Sequence, residues 1–494
     1  MGSKTSKSKE NFEAVIVKPS GGLGNQLFEI ANGYAYSLCH NRRFFITSSW
    51  EGMSKDRPSY WDTCLRELIP YLIPQKRTQK IKTYKEPRFS YSEVPKFKGH
   101  ICLEGYYQSE KYFEEYKEAI KNLFILPEDL IPSFNFKKEE STTILTVAIH
   151  IRRGDYLKNK EFHVILDKFY YDNAKKIMEE KLGVRPNYYY FSEDTDWIKE
   201  NFKDDIKEND KIISGYKDYE EMYLMSQCDH FIIANSSFSW WAAWLSRLQT
   251  ENSKIVIAPN VWFGPSGIKD FQDIYCKNWI KINCFPIEKF FLGIITCKKY
   301  KHRLENMNIS ELPINFNYFI GDPTLEVAHE DKESNIVYLP CPDNYESLPK
   351  KVYCMLDWIT KNKNDKEFII KMDDDVKITN IDYFVNYIQL IGLNNIDYAG
   401  VVVKYKGGEE GTCHLDRTED IDLGKTKIII PKSTYCAGPL YFLSKKSTNI
   451  ILEDLWKPET ETTIYEDQSM GHCLNLKNIY PLDLKLKDNG CSWV

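Results

Sequence analysis

Residues 144–156 read ILTVAIHIRRGDY, and the change of character half-way along this stretch decides the fold. Residues 144–149 are apolar and largely β-branched, with a polar run at 141–143 before them and a charged run at 152–155 after. That pattern predicts a buried parallel strand ending at a crevice. In open α/β sheets ligands bind where such strands end. Arg152 and Arg153 follow the strand at once, and their planar forks suit a phosphate, each charge-assisted hydrogen bond contributing about 1.5–3 kcal/mol. The residues alone leave three readings open. One is an anion clamp and another a solvated strand cap. The third is adhesion through Arg153, Gly154 and Asp155, a tripeptide that integrins read and that requires an extracellular loop.

Working outward, 494 residues suggest about three compact units at roughly 150 residues each. A hydrophobic content of 42% is globular, and a formal charge of -5 supplies no field for nucleic acid or an anionic membrane. The opening MGSKTSKSKENFEA lacks the apolar core of a signal peptide, and no later apolar run approaches the roughly 20 residues that span a bilayer. An unexported, cytoplasmic protein with a disordered leader over 1–11 is expected. Gly2 with Ser6 fits the N-myristoylation pattern, the one route to a membrane that the sequence offers. Thirteen cysteines without a CxxC pair give neither zinc spacing nor a disulfide framework, so free thiols in a reducing cytosol are the simplest expectation.

Residues 14–17 predict a short strand, and 19–25 (PSGGLGN) a glycine-rich turn opening a helix over 26–39. Residues 49–100, basic and tyrosine-rich with scattered prolines, read as loops and short helices. From residue 142 the alternation becomes regular and predicts a second parallel sheet. Its strands fall over 144–151, 188–191, 230–234 and 254–258, with helices over 166–181, 219–227 and 238–247. Ser236 and Ser237 stand where they would cap the last helix, which carries Trp240, Trp241 and Trp244; its free amides suit an anion, though capping alone accounts for the serines.

Four stretches in order, GGLGNQLF (21–28), HIRRGDY (150–156), FSEDTDW (191–197) and NSSFSWWAAWLS (235–246), resemble the motif set of the inverting α-1,2-fucosyltransferases. The resemblance implies a GT-B architecture over 12–287, with Rossmann-like halves at about 12–140 and 141–287, and GDP-fucose held without a metal. Carried onto this chain, His150 and Arg152 would hold the diphosphate, Glu193 and Asp194 the nucleoside, and Asn235, Ser236 and Ser237 the phosphate side. Gly22, Gly24, Asn25 and Gln26 would close the cleft from the first half. Arg152 would stabilise the departing charge. Inversion also needs a base for the acceptor proton, and Asp155, Glu29 and Glu104 are the candidates; a purely structural Asp155 fits equally well.

Residues 281–289 read as a junction, and FFLGII (290–295) as the first strand of a new domain over 288–494. Further strands are expected over 318–321, 336–339 and 368–372, with a helix over 348–360. Asp373, Asp374 and Asp375 follow the last strand directly. Three adjacent carboxylates at a strand end repel one another, and a divalent cation shared with nucleotide phosphates would resolve the conflict, the alternative being a solvated acidic turn.

FLGIITCKKYKHRLENM, DNYESLPKKVYCMLDWI, FIIKMDDDVKI, YCAGPLYFLS and YEDQSMGHCL together resemble the β-1,3-galactosyltransferase family, fringe-like members included. The resemblance implies a GT-A fold and a UDP-sugar donor with Mn2+ or Mg2+. Asp373, Asp374 and Asp375 would form the donor site, Asp373 and Asp375 would hold the metal, and Asp467, in a catalytic loop, would be the base. Lys377, Pro439 and Leu440 depart from that family's pattern, and His472 stands too close to Asp467 for its late histidine ligand. Cys436 and Cys473 resemble cysteines that pair in exported relatives; free thiols are expected here.

The combined expectation is a bifunctional glycosyltransferase acting on a glycan or glycoprotein. The second domain would add a hexose, galactose first among the choices, in β-1,3 linkage, and the first domain would add fucose α-1,2 to it. Two alternatives stand beside it: a glycan-binding scaffold with one inactive transferase domain, and a GDP-deoxyhexose other than fucose.

Overall fold

The structure is a computed structural model, and it describes residues 12–47, 60–74, 78, 80–134, 145–246, 254–410, 428–454, 465–486 and 490–493. The leader, with Gly2 and Ser6, lies outside the described residues, as do 141–144. The chain divides into two compact units, Met1–Cys284 and Phe285–Val494.

Unit 1 holds two parallel sheets. The first contains β1 (Ala14–Val17), β2 (Arg43–Thr47), β3 (Leu72–Ile73), β4 (Lys82–Lys85) and β5 (Ile101–Glu104) in the order β3-β2-β1-β5-β4. All its pairings are parallel. Two of these strands, β3 and β4, fall inside the stretch expected to be loops and short helices. β4 reads KTYK and lies at the sheet edge, where a solvated side chain costs nothing and no apolar signal is needed.

The second sheet contains β6 (Thr146–His150), β7 (Asn187–Phe191), β8 (Lys211–Ile213), β9 (His230–Ile232), β10 (Val256–Pro259) and β11 (Ile280–Ile282) in the order β11-β10-β9-β6-β7-β8, again all parallel. Every residue of β6 is buried, as a central strand covered on both faces requires. The outer strands β8 and β11 are three residues each, too short for any periodicity to reveal.

Helices α1 (Leu23–Cys39) and α2 (Lys117–Leu123) belong to the first half. The second half carries α3 (Lys168–Leu182), α4 (Thr195–Asn201), α5 (Asp218–Ser226) and α6 (Ser237–Leu245). Asp167 caps α3 and Gly183 ends it in the left-handed region at φ 69°; Asp194 caps α4 and Ser236 caps α6. The halves meet where α1 packs on α6. Phe28 of α1 lies 4.4 Å from the Trp240 ring and 5.0 Å from Trp241, both tryptophans being fully buried. Gly24 makes the approach possible, since a Cβ there would sit 2.5 Å from the carbonyl carbon of Ser237.

Unit 2 is built on one eight-stranded mixed sheet. Its parallel part holds β12 (Phe290–Ile295), β13 (Asn315–Gly321), β15 (Ile336–Leu339) and β16 (Phe368–Asp373), with β14 (His329–Asp331) antiparallel at the edge. Short strands β17 (Lys377–Ile378) and β23 (Cys491–Ser492) pair with each other, as do β19 (Gly408–Glu410) and β20 (Ile428–Ile430). The long β21 (Ser433–Ser444) runs antiparallel between β16 and β18 (Tyr398–Tyr405), and β22 (Leu482–Asp483) closes the far edge. Helices α7 (Leu348–Asn362), α8 (Ile381–Leu393), α9 (Lys445–Asp454) and α10 (Glu466–Leu476) complete the unit. The stretch expected to be a catalytic loop, residues 465–474, is thus most of α10. Among the described residues no helix is long and apolar enough to cross a membrane.

Candidate functional sites

In unit 1 the C-terminal ends of β6, β7 and β9 carry the polar clusters expected from the sequence. His150 closes β6 and is fully enclosed; its Nδ1 is buried without a hydrogen-bond partner among the described residues. Burial, and then the charge of Arg152, pushes its pKa down to about 3, so the imidazole is neutral at physiological pH. The ring lies 5.4 Å from Phe238 in the first turn of α6. Arg152 pairs with Asp155 and, at 3.3 Å, with Glu193, and its guanidinium lies 5.2 Å from the Tyr156 ring centroid. Arg153 takes a different post: its Nε donates to Asp194 at 3.0 Å and its guanidinium covers Trp197 at 4.5 Å. Arg153 therefore fastens β6 to α4, while Arg152 faces Glu193 and Asp155.

Asn235, 1% exposed, spends its amide nitrogen on the carbonyls of Val164 and Trp262 and leaves Oδ1 buried and unpartnered among the described residues. Ser236 Oγ accepts from the Phe238 amide, and Ser237 Oγ donates to Asn25 Oδ1 at 2.7 Å. Asn25 also accepts from Gln108 Nε2 at 2.9 Å. Gln26 donates to the Gly21 carbonyl, and its Oε1 is buried without a partner among the described residues. Gly22 is the residue before α1. His150 Nδ1, Asn235 Oδ1 and Gln26 Oε1 thus sit on three segments that meet at the N-terminus of α6. Leaving such atoms unpaired costs about 1–3 kcal/mol each, which a folded chain bears where a ligand or water completes them.

Each carboxylate named as a base from the sequence has a partner in the structure. Glu29 is buried with both oxygens on Ser20, accepting from its amide at 2.6 Å and its hydroxyl at 2.8 Å, and burial holds its pKa well above the usual range. Glu104 pairs with Lys85 at 3.0 Å, and Asp155 pairs with Arg152.

In unit 2 the register sets Ile295 of β12 opposite Asp373 of β16, so the aspartate triplet begins at the end of two neighbouring parallel strands. Its three members meet three different surroundings. Asp373 is held by Lys371 at 2.6 Å. Asp374 turns to Arg303 at 2.9 Å and to the Thr296 hydroxyl at 2.6 Å. Asp375 Oδ1 is buried without a hydrogen-bond partner among the described residues. Those residues contain no group of three or more His, Cys, Asp or Glu side chains set to cage a metal. Two carboxylates of the triplet, one with an unpartnered oxygen, fit a hard cation that takes its remaining ligands from phosphates and water.

Lys371 was not anticipated from the sequence. It is fully buried, and its Nζ donates to the Gly438 carbonyl at 2.5 Å and lies 5.5 Å from the Tyr441 ring centroid. The Gly438 amide in turn donates to Asp467 Oδ2 at 2.9 Å. Burial raises the pKa of Asp373 to about 6 and of Glu466 to about 7, and raises that of Asp467 as well. Glu466 accepts from the Tyr441 hydroxyl. Burial alone would neutralise Lys371, but Asp373 and Glu466 raise its pKa instead. One lysine in the run FIIKMD was the only available sign. Arg303, by contrast, stood in a motif quoted above. Cys436 and Cys473 are both buried free thiols.

Comparison with known proteins fixes the class. Residues 4–283 match the model of Glycosyl transferase family 11, and residues 318–485 that of Galactosyltransferase. An alpha-1,2-colitosyltransferase of Escherichia coli is 30% identical over 296 residues, covering 54% of this chain and 98% of the relative. A galactoside alpha-(1,2)-fucosyltransferase 1 of Bos taurus is 24% identical over 292 residues, covering 54% of this chain and 75% of the relative. The fucosyltransferase NodZ from Bradyrhizobium has 12% sequence identity and a TM-score of 0.31, over 47% of this chain and 92% of that one.

The protein is a glycosyltransferase. It belongs to glycosyl transferase family 11, with a galactosyltransferase-like second unit.

Proposed function

We propose that the chain carries two inverting transferases. Unit 1 transfers fucose from GDP-fucose in α-1,2 linkage, and unit 2 transfers a hexose, galactose first among the candidates, in β-1,3 linkage from a UDP-sugar. The observation that carries the first half is the group of unpartnered buried atoms on His150, Asn235 and Gln26 around the α6 N-terminus, with Arg152 following β6. Helix amides and a guanidinium suit a diphosphate. His150, neutral, can share a hydrogen bond with the donor but carries no charge to it. Arg152 exchanges Asp155 and Glu193 for phosphate oxygens, and takes up charge as the C1–O bond to GDP breaks. Glu193 and Asp194 serve the nucleoside.

The second half is supported by the surroundings of Asp373, Asp375 and Asp467. Asp373 and Asp375 would hold Mn2+ or Mg2+, which when bound neutralises the departing diphosphate. Asp467, raised by burial and oriented by the Gly438 amide, accepts the acceptor hydroxyl proton. A cytoplasmic location and a glycan acceptor belong to the same proposal. In unit 1 a second reading has support: the E. coli relative named for colitose favours a GDP-sugar other than fucose.

The full chain should be incubated with GDP-fucose and a β-galactoside, with GDP-colitose in parallel, and with UDP-galactose, UDP-glucose and UDP-N-acetylglucosamine plus Mn2+. Nuclear magnetic resonance of the products would assign each linkage. Release of GDP but never UDP would reduce unit 2 to a glycan-binding scaffold.

A further inference from the structure

Inverting transfer in unit 1 needs a proton acceptor on the acceptor side; Glu29 and Glu104 are tied to Ser20 and Lys85, and Asp155 stands beside Arg152 on the side that receives the diphosphate. Glu86 stands differently. It follows β4 directly, and its amide donates to the Glu104 carbonyl at the end of β5. It therefore lies on the C-terminal rim of the first sheet, the rim to which the turn at residues 19–25 also belongs. The same rim continues through Tyr107 to Gln108, which donates to Asn25, which accepts from Ser237 at the start of α6.

The side chain of Glu86 is half-buried and held in one orientation. Its Oε2 accepts from the amides of Tyr106 at 2.9 Å and Tyr107 at 3.1 Å, while among the described residues Oε1 has only a long contact, 3.4 Å, from the Tyr112 hydroxyl. Gly105, at φ 151°, leaves the space: a Cβ there would sit 2.4 Å from Glu86 Cβ. The segment just beyond Glu86 is clasped by the second half, Asp270 accepting from the amide and hydroxyl of Ser90 and Asp273 from the amide of Tyr91. Glu86 thus stands where the two halves of unit 1 approach each other, one carboxylate oxygen fixed by the backbone and the other held only loosely.

We propose that Glu86 is the general base of unit 1, a role that rests on reading this unit as a fucosyltransferase. The acceptor hydroxyl gives its proton to Glu86 as its oxygen bonds to the anomeric carbon of fucose. The bond from that carbon to the β-phosphate oxygen breaks, GDP leaves with the electron pair beside Arg152, and the proton passes from Glu86 to solvent. Burial raises the Glu86 pKa to about 7, against the lowering effect of the Tyr107 and Tyr106 amides. Around it stand Tyr112, Tyr107, Asp270 and the buried Glu29. A base is most effective with its pKa near the working pH.

The test compares the full chain with Glu86→Gln and Glu86→Asp, using GDP-fucose and a β-galactoside between pH 5.5 and 9, with GDP affinity by calorimetry. Wild-type kcat should fall as pH drops through about 7. Glu86→Gln, which can still accept from both amides, should lower kcat about 100-fold or more and lose that limb, while GDP affinity stays within about 3-fold. Glu86→Asp keeps a carboxylate and should retain the limb at reduced rate; it carries the test where the amide disturbs the Tyr106 turn. A Glu86→Gln chain within 3-fold of wild type overturns the proposal alone, as does a loss of kcat matched by lost GDP affinity with the limb intact. A wild-type chain that transfers no fucose removes the underlying reading and the proposal with it.

Discussion

His150 shows how a single enclosed side chain sets a measurable dependence on pH. Its folded pKa, pushed to about 3 by burial, lies below the roughly 6.5 of an unfolded histidine. Below pH 6.5 the unfolded chain therefore takes up a proton that the folded chain refuses, and stability is lost as pH falls toward 3. The loss between pH 7 and pH 5 amounts to about 2 kcal/mol for this one group. Urea denaturation of unit 1 should show His150→Asn losing less stability than wild type over that interval. Equal losses in the two proteins would mean that His150 titrates normally. Lys371 sets the opposite case, a cation whose removal strands carboxylates. Lys371→Met leaves Asp373 and Glu466 buried without their counter-charge, a type of change that costs about 3–5 kcal/mol. With those carboxyls at about 6 and about 7 even beside the lysine, they are protonated at pH 5 and charged at pH 8. The destabilisation should therefore be larger at pH 8, read as the drop in Tm of unit 2 at each pH.

Among the elements, α6 is the one that the first unit cannot lose. Its N-terminus receives Gly24 from α1, and Gly24→Ala would set a Cβ 2.5 Å from backbone that cannot move aside as a flexible side chain can. Overpacking of this kind costs about 1–3 kcal/mol. Here it should also part Ser237 from Asn25, so GDP affinity measured by calorimetry should fall together with Tm. A variant with unchanged affinity would show that the α1–α6 contact is not part of the donor site. How much of this was legible in advance depended on signal length. The strand ending at His150, the capped helix bearing Trp240 and Trp241, and β12 with its unbroken FFLGII all announce themselves, because central strands and buried helices need long apolar runs. β4, β8 and β11 do not, being edge or near-edge strands of three or four residues. Glu86 was hidden for the same reason: it follows an unrecognised strand inside KEPRFS, where a carboxylate reads as a surface charge. Lys371 was hidden by the opposite effect, a strand so apolar that its one cation passed as an exception. Asp467 was assigned to a loop, although an acidic pair in the first turn of α10 is what a helix N-terminus favours.

For the whole molecule, the proposed function sets two anion sites of opposite design in one chain. In unit 1 a guanidinium and helix amides would neutralise a diphosphate; in unit 2 carboxylates would do so through a cation. The two designs respond to different deletions, because the charge that each supplies to its donor lies within its own unit. Arg152→Ala should lower GDP-fucose turnover by about 100-fold or more, the scale of losing one preorganised donor to the leaving group, and leave UDP-sugar turnover untouched. Asp375→Ala should do the reverse, and chelation of divalent cations should reproduce Asp375→Ala without touching the GDP reaction. If galactose placed by unit 2 is the acceptor of unit 1, tethering raises its local concentration. A mixture of the two single mutants would then make the fucosylated product more slowly than the intact chain at equal catalytic concentration, and the deficit should vanish as free galactoside is added. Equal rates at low acceptor concentration would mean that the two units serve separate acceptors, and loss of both activities in either mutant would mean that the two sites are not independent.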